Sequence, residues 1–416
     1  MKKKLISLIL ISSMVLSLAA CGSKSEDPKT DSDLTQTTND STTDTTEEDN
    51  RDYSVYEIVS TRAYDYNFDE LTAQEFAAAL GVGWNLGNTL DATGGDGTDP
   101  IKQETSWGNP EISQELIQEV ADLGFTTIRI PITWAKFVDD DYNIDEAMLE
   151  RVKQVVDWSL EEGLFVIINT HHDTGGDGWL IPDEAHYDEV SAKLCAMWTQ
   201  IAEYFADYDE RLIFEGMNEP RVGDNWNGTT STIRVVNQLG LDFVDTIRQC
   251  SGYNQTRYLM VPCYAATSNS TVWSNYEWPD DDRVLLSIHA YLPYDFALNT
   301  AGTDQFDSTN SADTVTIDTL FKNINEVILH SGHACVIGEM GCMAKNNNLD
   351  ARIDCATYFA QKAAFYKVPF LWWDNNAFTS GETFGLIRRS FNDCLYTGIV
   401  EGMLNAWYDS DFHFNS

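Results

Sequence analysis

Eight short apolar runs recur between residues 82 and 374, and longer stretches of helical period separate them. The strand candidates are 82–88, 126–132, 165–171, 212–219, 257–264, 284–291, 335–340 and 368–374. Helical periodicity falls near 112–123, 147–162, 191–206, 232–250, 315–331 and 349–367, with a last helix expected over 392–407. Residues 265–283 carry little helical pattern, so the fifth connection is expected to be mostly loop. Runs that are apolar throughout belong to strands covered on both faces, and strand–helix alternation makes such strands parallel. Eight units of this kind fit a closed (β/α)8 TIM barrel, a single α/β domain, better than an open doubly wound sheet.

The polar residues concentrate where a barrel builds its chemistry. Asn88, Arg129, His171, Glu219, His289, Tyr291 and Glu339 all fall at or near the C-terminal ends of their runs, the face on which barrel enzymes carry their sites. Two carboxylates stand out among them. Glu219 closes LIFEGMNEP and Glu339 closes ACVIGEMG, so they sit on different strands and can face one another across the barrel mouth. Opposed carboxylates suit cleavage of a glycosidic bond, one protonating the leaving oxygen while the other attacks or activates water. Glu215 shares a run with Glu219, but four residues of strand place it ~13 Å deeper. It is expected to be a buried, paired carboxylate. Arg129 has two readings, a partner for the Glu339 carboxylate or an ion pair with Glu215. The segment Gly94-Gly95-Asp96-Gly97 lacks the Lys-Ser/Thr of a phosphate loop and the dinucleotide spacing. There is no GxSxG elbow.

Eight motifs in order resemble glycoside hydrolase family 5, most closely its subfamily 4 bacterial endoglucanases. They are GVGWNLGNTLDA (81–92), ETSWGNP (104–110), IRIPITW (128–134), NTHHD (169–173), NEP (218–220), HAY (289–291), GEMG (338–341) and WWDNN (372–376). The resemblance spans about 75–408 and implies a retaining endo-β-1,4-glucanase, a cellulase. Glu219 would be the general acid/base and Glu339 the nucleophile. Arg129 and Tyr291 would lie beside Glu339, favouring its charged form, whereas a less solvated Glu219 should have a raised pKa. Asn218 would bond the sugar 2-hydroxyl, and His171, His172 and His289 would orient hydroxyls and the two acids. Asn88 and Asp91 match positions that reach the same or the neighbouring subsite. Only one of Trp372 and Trp373 can floor the −1 sugar, because neighbours on a strand face opposite ways; alignment with the family favours Trp373. His171 and His172 also admit a metal-pair reading, although adjacency on a strand makes shared ligation awkward. No metal or cofactor is implied. The same mechanism acting on xyloglucan, mixed-linkage glucan, mannan or xylan stays open, as does, more remotely, a non-catalytic surface glycan-binding lipoprotein.

The N-terminus reads separately. Lys2, Lys3 and Lys4 precede an apolar stretch ending in Leu18-Ala19-Ala20-Cys21, a secretory leader (1–20) with a lipobox-like site that would leave Cys21 lipidated. Residues 21–60 follow as a lipidated cysteine and a tether. Fourteen of residues 22–60 are Ser or Thr and 11 are acidic against three basic, too polar and too charged to fold alone. The catalytic domain is expected over 61–416, exported and anchored at a bacterial cell surface, and monomeric. The whole chain carries a formal charge of −40, which argues against nucleic acid and leaves the membrane only through the lipid. The partner expected is a neutral β-linked polysaccharide. The odd count of the remaining seven cysteines and the absence of CxxC argue against a complete disulfide framework or a zinc knuckle, and several, in expected strands or helices, read as buried thiols. Among 12 tryptophans, Trp158, Trp198 and Trp407 are expected in helix cores. Trp107, Trp179, Trp226, Trp273 and Trp278 are expected in loops on the active-site side, where indole faces can stack on sugar.

Overall fold

A computed structural model describes residues 68–175 and 178–408. The leader, Cys21, the tether and the boundary at 60/61 lie outside the described residues. Eight parallel strands pair in chain order and close on themselves: β1 (Val82–Leu86), β2 (Thr127–Ile130), β3 (Phe165–Asn169), β4 (Leu212–Glu215), β5 (Leu259–Pro262), β6 (Val284–His289), β7 (Ala334–Met340) and β8 (Phe370–Asp374). Most are shorter than the apolar runs that foretell them, because the chain leaves the sheet before the polar residues at the end of each run. Glu219, for example, lies beyond β4, which stops at Glu215.

The outer layer is α3 (Gln114–Asp122), α4 (Glu146–Glu161), α5 (Tyr187–Tyr204), α6 (Thr230–Gln249), α9 (Ser311–Val327), α10 (Leu349–Tyr366) and α11 (Thr397–Tyr408). Short helices α2 (Pro100–Glu104), α7 (Ser270–Trp273) and α8 (Tyr294–Ala297) lie in loops, and β9 (Ile387–Arg388) pairs with β10 (Asp393–Cys394) before α11. The fifth connection holds one 3-10 turn at Tyr264–Ala266 and the four residues of α7, as its weak pattern implies. Its Trp273 is buried, with the indole N–H donating to the Thr267 carbonyl at 2.8 Å, so it anchors the loop. Trp278 departs from expectation. It stacks on His333 at 3.8 Å, and His333 immediately precedes β7, which places this tryptophan at the N-terminal mouth, away from the chemistry. The loop before β6 had run back to the bottom of the barrel by that point.

The first helix, α1 (Ala73–Leu80), was not legible beforehand. Thr72 and Glu75 form a reciprocal capping box at its start, and Phe76, Ala77 and Leu80 are buried. These three pack on Phe165, Ile167, Ile213, Tyr258, Leu285, Ala334 and Leu371, the inward residues at the lower ends of the strands. The helix therefore plugs the N-terminal mouth. Phe76 lies flat on Tyr258, with centroids 3.6 Å apart.

One irregularity decides which way the chemistry points. Ala334 and Val336 face the barrel interior, whereas Cys335 and Ile337 pack against the helices. Strict alternation would turn Glu339 outward with Cys335 and Ile337. The β6–β7 register slips instead, from Ile288 opposite Ile337 to His289 opposite Glu339, so β7 holds one extra residue there. This bulge reverses the phase, points Glu339 inward and sends Met340 out to the helix layer.

Beyond β6, Lys345 organises the loop after the strand. Its ammonium donates to the carbonyls of Asp295 (2.9 Å), Phe296 (2.9 Å), Asn299 (2.6 Å) and Thr303 (3.2 Å). The seven described cysteines are free thiols, five of them buried.

If α1 is the plug that seals the lower mouth, Phe76→Ala should lower the unfolding free energy by about 3–5 kcal/mol in denaturant titration. A loss under about 1 kcal/mol would mean the stack with Tyr258 contributes little.

Candidate active site

Above the apolar plug the barrel interior becomes polar, and Arg129 of β2 stands at its centre, fully buried. Its Nε donates to Glu215 Oε2 at 2.7 Å. Its Nη1 donates to Glu339 Oε1 at 2.8 Å and to Asn85 Oδ1 at 3.0 Å, and its Nη2 to Asn218 Oδ1 at 2.7 Å. Burial pulls the guanidinium pKa down, but the charges of Glu215 and Glu339 outweigh it and hold the cation firmly. The two readings of Arg129 are therefore both met by one side chain. Glu215, fully buried, also accepts from Asn169 Nδ2 at 3.0 Å and Ser287 Oγ at 2.5 Å, which makes it the paired structural carboxylate expected.

Glu339 is bonded through both oxygens. Oε1 takes Arg129, and Oε2 accepts from the Tyr291 hydroxyl at 2.9 Å, with His289 Nδ1 3.5 Å away. Burial, then the Glu339 charge, push the Tyr291 phenol well above its usual pKa, so it remains a donor.

Glu219 faces this group from the loop after β4. Its Oε1 lies 2.8 Å from His289 Nδ1 and its Oε2 lies 3.3 Å from Arg221 Nη1. Its pKa departs from expectation. Burial does push it up, but the hydrogen bond and charge of His289, with Arg221 and Arg129, outweigh burial and leave it below the ordinary value. His289 moves the other way: burial lowers it, and the charges of Glu339 and Glu219 more than restore it. The contact thus draws the His289 ring toward its protonated form and the Glu219 carboxyl toward its ionised one. An oxygen of Glu219 and one of Glu339 lie within 4.8 Å of each other.

The remaining residues divide by orientation. Trp373 faces the interior, stacked on His171 with rings 5.6 Å apart and nearly parallel. A Cβ on Gly87 would meet its ring at 2.8 Å, so glycine makes room for the indole. Trp372 points into the helix layer, its Nε1 donating to the Phe384 carbonyl at 2.9 Å. Burial, then the charges of His172, Arg129 and His289, lower His171 well below its usual pKa, so its ring is neutral. His172 is part-exposed, beside Trp107 at 5.4 Å and Asp91 at 3.7 Å. Asp91 itself does not open to the cleft. Fully buried, it accepts from the backbone N–H groups of Thr89 (2.6 Å) and Asn88 (3.0 Å). It shapes the turn that presents Asn88, itself in a left-handed conformation at φ 59°.

Among the described residues, two groups bring three potential metal donors within 4.8 Å: Asp91, His171 and His172, and Glu219, His289 and Glu339. Protein partners already engage these donors, and the second group has the pairing of an acid–base set. Arg221, Asn85, Asn169 and Ser287 were not singled out beforehand. The last three carried a usable signal, a polar residue at an inward position of an apolar strand. Of the tryptophans expected near the cleft, Trp107 and Trp226 are exposed, and Trp179 is part-buried with its Nε1 on Asp173 Oδ1 at 2.8 Å.

Residues 90–379 match the cellulase family, glycosyl hydrolase family 5. The chain is 38% identical to Endoglucanase B of Ruminococcus albus over 348 residues, covering 82% of each chain. Among solved structures it is similar to a GH5-4 broad specificity endoglucanase from Clostridium longisporum, with TM-score 0.78 and 38% identity, covering 82% of this chain and 99% of that one. A second, from Ruminococcus champanellensis with bound cellotriose, has TM-score 0.76 and 39% identity, covering 80% and 98%.

Arg129→Met leaves Glu215 buried without its countercharge and should reduce stability by about 3–5 kcal/mol. Arg129→Lys keeps a charge but not the planar fork, and is expected to lose less stability while lowering turnover at least ~100-fold through misplaced carboxylates. Equal stability losses in the two variants, read by denaturant unfolding, would contradict this reading.

Proposed function

The chain belongs to glycosyl hydrolase family 5 and is an endoglucanase of the GH5-4 kind, and we propose that it hydrolyses internal β-1,4 bonds by double displacement, with Glu219 as acid/base and Glu339 as nucleophile. The observation that carries this reading is that the two carboxylates face each other, an oxygen of each within 4.8 Å of the other and His289 in reach of both. Retaining enzymes hold their carboxyl groups about 5–5.5 Å apart, whereas inverting enzymes leave 6.5–9.5 Å for a water.

In the first step a Glu339 oxygen bonds the anomeric carbon while the bond to the leaving oxygen breaks and Glu219 supplies its proton. In the second, Glu219 takes a proton from water, the hydroxyl bonds the anomeric carbon, and the Glu339 ester bond opens. Arg129 and Tyr291 aim the attacking carboxylate. Asn218 spends its oxygen on Arg129 and has its amide nitrogen 3.4 Å from His171 Nε2, which leaves one N–H for the sugar 2-hydroxyl. The proton for the first step resides in the His289–Glu219 pair, and its passage from Nδ1 to Oε1 along a 2.8 Å contact makes Glu219 the acid. Trp373 and His171 form the floor of the −1 sugar, with Asn88, His172 and Trp107 beyond it.

The substrate proposed is a neutral β-glucan. The Ruminococcus champanellensis relative binds cellotriose, and exposed Trp107 and Trp226 suit an uncharged chain held by stacking. The formal charge of −35 on residues 61–416 disfavours anionic polysaccharides. We also propose that residues 1–20 are removed, Cys21 is lipidated, and the acidic tether holds the enzyme off the cell surface; the sequence pattern supports this.

Glu339→Gln should abolish turnover while leaving β-glucan binding, and the wild-type enzyme should release the β-anomer first, as followed by proton NMR. Substantial hydrolysis by the variant, or initial release of the α-anomer, would sink the mechanism. A panel of cellulose, xyloglucan, mixed-linkage glucan, mannan and xylan, with reducing-end analysis, identifies the preferred polymer. Radiolabelled palmitate should enter the wild-type protein but not Cys21→Ala, and labelling of both would remove the lipid-anchor proposal.

A further inference from the structure

Arg221 follows the NEP motif by one residue and joins three things. Its Nη1 lies 3.3 Å from Glu219 Oε2, the carboxyl oxygen that His289 does not hold, and also 3.3 Å from the Glu219 carbonyl. Its guanidinium carbon sits 4.0 Å from the ring centre of Trp226, a residue half exposed at the cleft. Gly175 leaves space for it, since a Cβ there would meet Nη2 at 2.7 Å. Its buried Nε–H has no acceptor among the described residues.

We propose that Arg221 is a positioning residue for the acid/base, steadying Glu219 Oε2 with its guanidinium and tying that carboxyl to the Trp226 platform. The proposal rests on the acid/base reading of Glu219. The Glu219 Oε1 contact with His289 is short and the Arg221 contact is long, so Oε2 is held loosely enough to turn to the leaving oxygen. A cation beside a carboxylate favours its ionised form. Arg221 therefore suits the second step, in which Glu219 must be a base, and restrains the first. Because Trp226 clamps the guanidinium, glycan seated on its outer face is coupled to the acid/base. The other groups around Glu219 are His289 from β6, Glu339 from β7, Arg129 from β2, His171 after β3, Tyr291 after β6 and Glu382 from the loop after β8. Removing Arg221 takes one positive charge from this set.

The sign follows. Without that charge the His289–Glu219 pair keeps its proton to higher pH, so the alkaline limb of kcat/KM on β-glucan moves up. For Arg221→Met or Arg221→Gln the expected shift is about 0.5–1 pH unit, reduced from a buried pair's by partial exposure. Arg221→Lys should restore most of the limb. Trp226→Leu, which removes the clamp but no charge, should give a smaller shift in the same direction. On 2,4-dinitrophenyl β-cellobioside, whose leaving group needs no proton, kcat/KM should show no such limb in any variant. Glu219→Ala separates the two readings. If it loses β-glucan hydrolysis but keeps attack on the activated glycoside, the acid/base reading stands, and an unmoved limb in Arg221→Met then overturns the Arg221 proposal alone. An alkaline limb on β-glucan that persists in Glu219→Ala overturns both. An unmoved limb in Trp226→Leu overturns the link to the platform.

Discussion

A single guanidinium at the waist of the barrel sets the terms for everything above it. Arg129 is fully buried and spends its donors on two carboxylates and two amide oxygens from three other strands or their ends. A lone cation in that position would be prohibitively desolvated, so Glu215 beneath and Glu339 above are needed together. Glu215 in turn needs Asn169 and Ser287 to satisfy its oxygens. The polar layer is thus a closed set in which each side chain exists because of the one before it. The carboxylate aimed into the cleft is its upper terminus, and Asn218 beside it is oriented by the same fork.

That set would be useless without the slip between β6 and β7. A regular β7 would turn the Glu339 carboxylate into the helix layer, away from Arg129. The extra residue there is Gly338, whose carbonyl accepts from Asn85 at 2.9 Å and whose missing side chain keeps clear of Ser287 and His289. Local backbone irregularity and global charge pairing therefore agree, which is how active sites commonly use bulges. A similar economy appears in the acid/base. One imidazole lies between the two carboxylates, near enough to hold a proton for one while lending charge to the other.

Much of this was legible in advance because it rests on period and position. Fully apolar runs betray covered parallel strands, and polar residues ending those runs betray the C-terminal mouth, so the barrel and the facing pair Glu219 and Glu339 could be read from order alone. What escaped reading depends on contacts between distant residues. The capping box at Thr72 is local, but that α1 closes the barrel depends on Phe165 and Tyr258. Trp278 looked like a cleft residue because it follows a strand, and only the path of a non-helical connection reveals that it has already crossed to the other mouth. The acidity of Glu219 was misjudged for a related reason. Burial was foreseeable, but the opposing pull of His289 and Arg221 requires knowing that one of them stands at each oxygen.

The ammonium of Lys345 has a consequence of its own. Four backbone carbonyls of the segment after β6 converge on it, a coordination sphere of the sort proteins often assemble around a dissolved sodium or calcium ion. Here the ion is covalently attached to the chain. It cannot be washed out, exchanged or chelated, and its local concentration does not vary with the medium. The segment leading away from Tyr291 thus keeps its internal cation whatever the salinity outside.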